Sequence, residues 1–198
     1  MPYVKEVFDV HTFDQAKDIV LTPDESKPNK FKTETEFTVD TILEYVDLND
    51  KTILDFGCGM GRISKELINR TSCKVFGLDI SESMLTFARL YTASLRFTPV
   101  QTYQTNESVD VALSILALQH SENPKQEIDN IFNVLKPNGL FILLNEHQRF
   151  VPSDVDSNRY VIWNDDGFDI FGYTESLFKK ENSVQYLNSK LDIIFYRK

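Results

Sequence analysis

Glycine and acidic residues at two points of the chain have the spacing of a site for a nucleotide-like cofactor. Residues 53–62, Ile-Leu-Asp-Phe-Gly-Cys-Gly-Met-Gly-Arg, place three glycines after an apolar run, and Asp79 follows a second run at 75–78. Glycine has no Cβ atom, so the backbone can turn tightly there and approach a ligand. A carboxylate after the second strand can accept hydrogen bonds from ribose hydroxyls. This order predicts a cofactor lying across the ends of two parallel strands.

The elements that must position these residues alternate along the chain. Alternation of apolar strands with amphipathic helices is typical of an α/β protein whose parallel sheet has right-handed crossovers. Thr33 and Glu36 have the spacing of a capping box and predict a helix that begins there. Pro99 weakens the third predicted strand. The predicted strands are 51–56, 74–79, 94–100, 109–116 and 140–145, and the predicted helices are 13–20, 33–46, 61–70, 81–90 and 124–135.

The two ends of the chain are less regular. We expect a single domain over residues 1–198, in which residues 1–32 form a cap segment that covers either the cofactor pocket or the sheet. Residues 147–171 have no clear period, which predicts a long loop or insertion beside the substrate site. A short helix at 172–180 and two strands at 183–187 and 191–197 complete the prediction.

Three parts of the sequence resemble the class I S-adenosylmethionine-dependent methyltransferases. Residues 54–61, Leu-Asp-Phe-Gly-Cys-Gly-Met-Gly, look like the first motif of that family, and Asp79 matches its ribose-binding acid. Residues 135–143, Leu-Lys-Pro-Asn-Gly-Leu-Phe-Ile-Leu, are similar to its turn into the fifth strand. The resemblance covers residues 33–146. It implies a three-layer Rossmann-like α/β sandwich with a mostly parallel seven-stranded sheet that ends in a C-terminal antiparallel hairpin.

The same resemblance implies S-adenosylmethionine as cofactor, S-adenosylhomocysteine as product, and a set of binding residues. In the family, an acid at the position of Asp55 supports the glycine loop and the amino end of the methionine part, and an acid or amide after the third strand bonds the adenine amino group, where Gln101 can substitute through its amide oxygen. Arg62 can reach the donor carboxylate or be a solvated arginine in the first turn of its helix. Asp55 can instead bond only loop amides, and Asp79 can act only as a helix N-terminal acid. The implied cofactor-binding residues are Asp55, Gly57, Cys58, Gly59, Gly61, Arg62, Asp79, Ile80, Met84, Gln101, Ser114 and Leu116.

Three residues near the ends of the fourth and fifth strands are candidates for catalysis. His120 belongs to a Leu-Gln-His sequence that resembles the family and can remove a proton from an acceptor hydroxyl or amine. Glu146 and His147 follow the fifth strand, at the edge where ligands bind in such sheets. Each of the three has a structural alternative, in which it caps or packs a neighbouring element. Methyl transfer needs a general base only when the acceptor must lose a proton.

Composition, net charge and apolar run length argue against several classes of binding partner. The 198 residues carry a formal net charge of −9, which argues against a broad surface for nucleic acid. No apolar run approaches the roughly 18–20 residues of a membrane helix. Three histidines and two cysteines show no metal-ligand spacing, so we predict no metal. We expect a reducing, cytoplasmic location and a small-molecule methyl acceptor, while a protein acceptor stays open.

These observations favour an enzyme that transfers a methyl group from S-adenosylmethionine to an oxygen or nitrogen atom of a small molecule. One alternative is a non-catalytic binding or regulatory protein that keeps the methyltransferase fold. The other is an NAD-dependent dehydrogenase, which shares the glycine turn and the ribose acid. Asp55 before the glycines and the predicted C-terminal hairpin argue against the dehydrogenase.

Overall fold

The structure, a computed structural model, describes residues 5–21, 23–152, 160–163 and 167–198, and only the backbone of 150–152 and 160–163. In these ranges the chain forms a seven-stranded sheet and a separate two-stranded sheet. The large sheet consists of β1 (Thr52–Phe56), β2 (Lys74–Leu78), β3 (Phe97–Val100), β4 (Val109–Ile115), β5 (Leu135–Leu144), β8 (Lys179–Gln185) and β9 (Asp192–Arg197), and the small one of β6 (Arg149–Pro152) and β7 (Tyr160–Trp163).

The strand order of the large sheet is β3-β2-β1-β4-β5-β9-β8. Neighbours from β3 to β5 are parallel, whereas β9 runs antiparallel to both β5 and β8. The predicted Rossmann-like sandwich with a mostly parallel sheet and an antiparallel C-terminal pair is therefore confirmed. Pro99 lies on β3, an edge strand, where a missing N–H is tolerated.

Helices cover both faces of this sheet. Ile53 and Val111 face a core shared with the helices at 30–45, 62–70 and 82–92. Leu54 and Ala112 face a core shared with the helices at 124–134 and 170–177. Burial on both faces explains why the central strands are almost continuously apolar. No helix among the described residues is long and apolar enough to span a bilayer. The helices are α1 (Phe13–Val20), α2 (Lys30–Tyr45), α3 (Arg62–Arg70), α4 (Glu82–Thr92), α5 (Pro124–Val134) and α6 (Ile170–Leu177), with short 3-10 turns at Lys5–Phe8 and Leu118–His120.

The ends of three parallel strands create the place for a ligand. Phe56, the last residue of β1, is in register with Leu78 of β2 and Ser114 of β4. The loops that follow these strands therefore begin side by side at one edge of the sheet. Ligands bind at such an edge in open α/β sheets.

The predicted start of the second helix was wrong. α2 begins at Lys30, and the Thr33 N–H already donates to the Asn29 carbonyl, so Thr33 lies inside the helix and forms no capping box. The additional turn carries Phe31, which packs against a small apolar cluster containing Met60 and Met84. Tertiary burial of Phe31 thus extends the helix beyond its local sequence signal.

Residues 147–171, for which we predicted a long loop or insertion, contain two short strands among the residues described. β6 and β7 pair as antiparallel strands, with Arg149 opposite Trp163 and Pro152 opposite Tyr160. The first residues of α6 also fall in this range, since the helix runs from Ile170 to Leu177 rather than from 172 to 180. Strands of four residues are too short to show a period in the sequence. The side chains of Phe150, Tyr160 and Trp163, which belong to the segment expected beside the substrate site, are outside the described residues.

Candidate functional site

A cavity of about 610 Å³ opens at the carboxyl ends of β1, β2 and β4. Eleven of the fifteen predicted site residues line it. They come from the end of β1, from the loops after β1, β2, β3 and β4, from the helices α3 and α4, and from the 3-10 turn Leu118–His120. These residues are Asp55, Gly57, Cys58, Gly59, Arg62, Asp79, Ile80, Met84, Gln101, Leu116 and His120.

Asp79 is held between the glycine turn and the start of α4. Its Oδ2 accepts a 2.8 Å hydrogen bond from the Gly59 N–H, and its Oδ1 accepts a 2.9 Å bond from the Ser81 N–H. Burial raises the pKa of the Asp79 carboxyl, and the backbone hydrogen bonds oppose that rise. Each carboxylate oxygen has two lone pairs, so both can still accept a hydrogen bond from a diol.

Two glycines of the turn have close neighbours where a side chain would begin. Gly57 has φ +67°, and a Cβ atom there would collide with the Cβ of Ala117. Gly59 has φ +51°, and its Cβ would lie 2.6 Å from Cγ2 of Val20. Positive φ angles favour glycine, and neither position has space for a methyl group. The turn therefore lies tightly between the loop after β4 and the N-terminal segment.

Asp55, near the end of β1, is a buried carboxyl group, 3% exposed. The Ser64 hydroxyl, one turn into α3, donates a 2.5 Å hydrogen bond to its Oδ2. Burial raises its pKa to about 6, against the lowering effects of Ser64 and of the Arg62 guanidinium. The group is mostly ionised at neutral pH, so it presents a poorly solvated negative charge to the cavity.

Arg62 opens α3 and provides the opposite charge. Its guanidinium is 4% exposed, and its Nη1 donates a 3.1 Å hydrogen bond to the Thr35 hydroxyl of α2. Nε is buried and has no hydrogen-bond partner among the described residues. Lys30, at the start of α2, lines the same cavity. A buried guanidinium with an unsatisfied N–H fits a carboxylate ligand.

The N-terminal segment, residues 5–21, forms one wall of this cavity through Phe8, Ile19, Val20 and Leu21. It is anchored to the start of α4, because the Val10 N–H donates to the Ser83 hydroxyl at 2.9 Å. In addition, the Ser81 hydroxyl donates to Asp9 at 3.2 Å. Part of the predicted cap segment therefore lines the cavity and is fixed to the first turn of α4.

His120 is the only catalytic candidate of the three that lines the cavity. Its ring meets Phe8 edge-on, at 6.0 Å between centroids. The Glu146 N–H donates to Oε1 of Gln119, so Glu146 lies behind His120, outside the cavity lining. His147 is exposed, with its ring 5.1 Å from that of Phe171 in α6. Glu146 and His147 therefore do not line the cavity with His120.

Two predicted cofactor residues also lie away from the cavity lining. Gly61 faces α4, where a Cβ atom would lie 3.0 Å from Cγ2 of Thr92, so its role is close packing of α3 against α4. Ser114 is fully buried within β4, and its Oγ has no hydrogen-bond partner among the described residues. A motif position alone did not distinguish residues that reach the ligand space from residues that support it.

Several lining residues were not identified from the sequence. Besides the residues of the N-terminal segment, the clearest cases are Tyr103 and Glu127. Both line the cavity, and their side chains are hydrogen-bonded to each other. Tyr103 follows β3 and Glu127 lies in the first turn of α5. No local pattern links them, although an acid in a first helical turn close to a strand end is a weak signal.

The sequence model of a family described as "Methyltransferase domain" matches residues 47–167, more than half of the chain. Among curated proteins, the ubiquinone biosynthesis O-methyltransferase of Neisseria meningitidis serogroup C is 27% identical over 137 residues, which are 62% of this chain and 58% of that protein. The enzyme of the same name from Hydrogenovibrio crunogenus is 30% identical over 122 residues, or 56% of this chain and 50% of that protein. The chain thus spans about half the length of the curated relatives it matches.

Solved structures resemble the fold. The PH0226 protein from Pyrococcus horikoshii OT3 superposes with a TM-score of 0.68 at 21% identity, covering 87% of this chain and 92% of that one. A putative S-adenosylmethionine-dependent methyltransferase from Listeria monocytogenes gives a TM-score of 0.66 at 20% identity, covering 84% and 99%. Together with the matched family and the arrangement of the glycine turn beside Asp79, these findings show that the chain belongs to the class I S-adenosylmethionine-dependent methyltransferase superfamily.

Proposed function

We propose that this protein transfers the methyl group of S-adenosylmethionine to a hydroxyl oxygen or a nitrogen atom of a small molecule. The observation that carries the proposal is the convergence of Asp79, Asp55 and Arg62 on one cavity from β2, β1 and α3. Their charges complement the three polar parts of the donor, which are a ribose diol, an ammonium group and a carboxylate.

The cavity also fits the donor in its smaller features. The unsatisfied Nε of Arg62 gives a carboxylate a buried partner, and the crowded Gly57 and Gly59 keep the turn free of side chains. Ile80 is 53% exposed although it is a large apolar residue at the cavity wall. An apolar side chain exposed beside a ribose-binding acid is suited to pack against a purine ring. These features support S-adenosylmethionine as the bound cofactor.

When bound, S-adenosylmethionine supplies an electrophilic methyl group on a positively charged sulfur. The residues of the chain have to bind the donor and the acceptor, orient them for transfer and exclude water from the site. Alignment of the reacting groups can contribute roughly 7–11 kcal/mol in well-oriented systems, so a complete catalytic triad is unnecessary. The N-terminal wall, with Phe8 and Val20, shields the space between the glycine turn and His120 from water.

His120 is the group best placed to take a proton from a hydroxyl acceptor. It follows β4 and contacts the cavity, and Gln119 Nε2 lies 3.4 Å from its Nε2, which orients the ring. β6 packs on the His120 turn and on the Lys5–Phe8 turn, and Arg149 donates a 2.6 Å bond to the Ser121 carbonyl. An acceptor would thus lie between His120 and the N-terminal turn, on both of which β6 packs. The relatives named above are O-methyltransferases, which favours oxygen.

The sheet favours this function over an NAD-dependent dehydrogenase. A dinucleotide-binding sheet has the parallel order 3-2-1-4-5-6, whereas here antiparallel β9 is inserted between β5 and β8. The direct test is calorimetric titration of the protein with S-adenosylmethionine, S-adenosylhomocysteine and NAD. We expect micromolar binding of the first two and none of NAD, and NAD binding alone would refute the assignment.

Turnover is tested by following label from methyl-labelled S-adenosylmethionine into a panel of small phenols, carboxylic acids and amines. Transfer to one class of acceptor is expected. Donor binding without transfer to any acceptor, including protein fractions, would favour the non-catalytic alternative.

A further inference from the structure

Tyr103 and Glu127 form a second polar feature of the cavity, separate from the acids and the arginine already described. The Tyr103 hydroxyl donates a hydrogen bond to Oε2 of Glu127, and both residues line the cavity. They are 24 positions apart and belong to different elements, so only the fold brings them together. Because a carboxylate can accept several hydrogen bonds, Glu127 retains acceptor capacity for a ligand after bonding Tyr103.

Tyr103 is fixed from two sides. Its ring stacks on Phe56, the last residue of β1, with 6.3 Å between centroids and 18° between planes. Its hydroxyl is held by Glu127, and burial together with this carboxylate raises the pKa of Tyr103 far above its usual value. The phenol therefore stays protonated and can only donate its hydrogen to the carboxylate. This arrangement keeps the Glu127 side chain in one place.

The loop after β3 forms the part of the cavity next to Asp79. β3 lies beside β2 in the sheet, and Gln101 and Tyr103 of this loop line the cavity, so the base of the nucleoside would follow the ribose on this side. Gln101 is an exposed side chain, whereas Glu127 is partly buried. Glu127 also lies in the first turn of α5, where the helix dipole stabilises an ionised carboxylate. The partly buried and oriented acceptor on this side is therefore Glu127.

We propose that Glu127, positioned by Tyr103, accepts a hydrogen bond from the exocyclic amino group of adenine and thereby selects an adenine nucleoside. This inference rests on the proposed function. An ionised carboxylate has acceptors only, so a base with an oxygen in place of the amino group meets a second acceptor and is rejected. Glu127, in α5, then binds the adenine amino group, for which we first considered Gln101 in the loop after β3.

The test compares S-adenosylhomocysteine with S-inosylhomocysteine, in which a carbonyl oxygen replaces the amino group and the adjacent N1 carries a proton. Dissociation constants are measured by calorimetry for the wild type, Glu127→Gln, Tyr103→Phe, Gln101→Ala and Glu122→Gln. Glu122→Gln is the matched control, since Glu122 is a second glutamate that lines the same cavity. Thermal unfolding verifies that each variant is folded.

We expect the wild type to prefer the adenine ligand at least tenfold, as is usual when a charged group would lose its hydrogen bond. Glu127→Gln should reduce this preference several-fold, because an amide can also donate to the inosine carbonyl. Tyr103→Phe should reduce it by less, and Glu122→Gln and Gln101→Ala should leave it unchanged.

Two results would overturn the inference while leaving the proposed function intact. In one, Glu127→Gln keeps the full preference and Gln101→Ala loses it. In the other, Glu122→Gln lowers the preference as much as Glu127→Gln, which would indicate a general charge effect. Failure of folded wild-type protein to bind S-adenosylhomocysteine at all would instead refute the proposed function, and this inference with it.

Discussion

The backbone N–H of Gly59 donates a hydrogen bond of 2.8 Å to Oδ2 of Asp79. This bond joins the turn after β1 to the residue after β2, so the two halves of the predicted cofactor motif are one structural unit. The Ser81 N–H holds the other oxygen at 2.9 Å, and the Ser81 side chain caps α4 by accepting from the Met84 N–H. A change at either Gly59 or Asp79 should therefore affect both the shape of the turn and the ribose site.

Asp79→Asn should weaken binding of S-adenosylhomocysteine about ten- to a hundredfold. The amide loses one acceptor and the negative charge, and charge-assisted hydrogen bonds contribute roughly 1.5–3 kcal/mol. Calorimetry measures the effect. Glu82→Gln, on an exposed acid at the start of α4, is the control and should bind like the wild type. Equal affinities of Asp79→Asn and wild type would restrict Asp79 to a structural role.

Gly59→Ala should lower the free energy of unfolding by about 1–3 kcal/mol from backbone strain alone. Contact with Val20, 2.6 Å from the new Cβ, should add to this loss. Gly167→Ala isolates the strain, because Gly167 has φ +53° and no described atom within 4 Å of a Cβ. Denaturant unfolding of Gly59→Ala, Val20→Ala and the double variant should show partial recovery in the double variant. Strict additivity would argue against the contact.

Asp55 should make stability and ligand binding depend on pH in opposite directions. Its pKa of about 6 exceeds the ordinary 3.8, so the folded state holds the proton more tightly and loses stability as pH rises from about 4 to about 6. Asp55→Asn removes this cost, and it should be more stable than the wild type at pH 7 by on the order of 1–3 kcal/mol, but not at pH 4. Unfolding curves at both pH values measure this difference.

The ionised form of Asp55 is the one that attracts the ammonium group of the donor. Affinity of the wild type for S-adenosylmethionine should therefore fall as pH drops below about 6, and Asp55→Asn should bind more weakly at pH 7 with a flatter pH dependence. Calorimetry between pH 5 and 8 tests this. An unchanged pH dependence in Asp55→Asn would assign the effect to another group.

His120→Gln should lower kcat for a hydroxyl acceptor about 10²- to 10⁴-fold, the usual contribution of a general base. Binding of S-adenosylhomocysteine should stay within a few-fold of the wild type, since His120 would act on the acceptor. His147→Gln is the matched control, because His147 is exposed and lies outside the cavity lining. A parallel loss of cofactor affinity and kcat in His120→Gln would indicate a structural role.

The sheet and the cofactor motif were predictable because their signals are local. Apolar runs predicted β1, β2 and β4 to within a residue or two, and the helix predicted at 81–90 corresponds to α4, which Ser81 caps. Asp79 follows its strand at the place where a parallel sheet brings loops together, so its position could be deduced from chain order alone. The antiparallel end of the sheet, in contrast, was anticipated through family resemblance.

The sequence did not predict which residues far apart in the chain contact each other around the cavity. Glu146 and His147 follow β5 just as Asp79 follows β2, yet they lie away from the cavity lining, because Gln119 accepts from the Glu146 N–H and His147 packs against α6. Tyr103 and Glu127 belong to no recognised motif. Their hydrogen bond exists because α5 packs beside the loop after β3.

The family, the glycine turn and the acid that follows β2 could be predicted from the sequence alone, because these depend on backbone conformation and residue order over short distances. Which side chains reach the ligand depends instead on the tertiary fold. It placed Val20 over Gly59, buried Arg62 with an unsatisfied Nε, and joined Tyr103 to Glu127. The physical reason is that burial and hydrogen-bond pairing depend on how distant elements pack, and no local pattern encodes that packing.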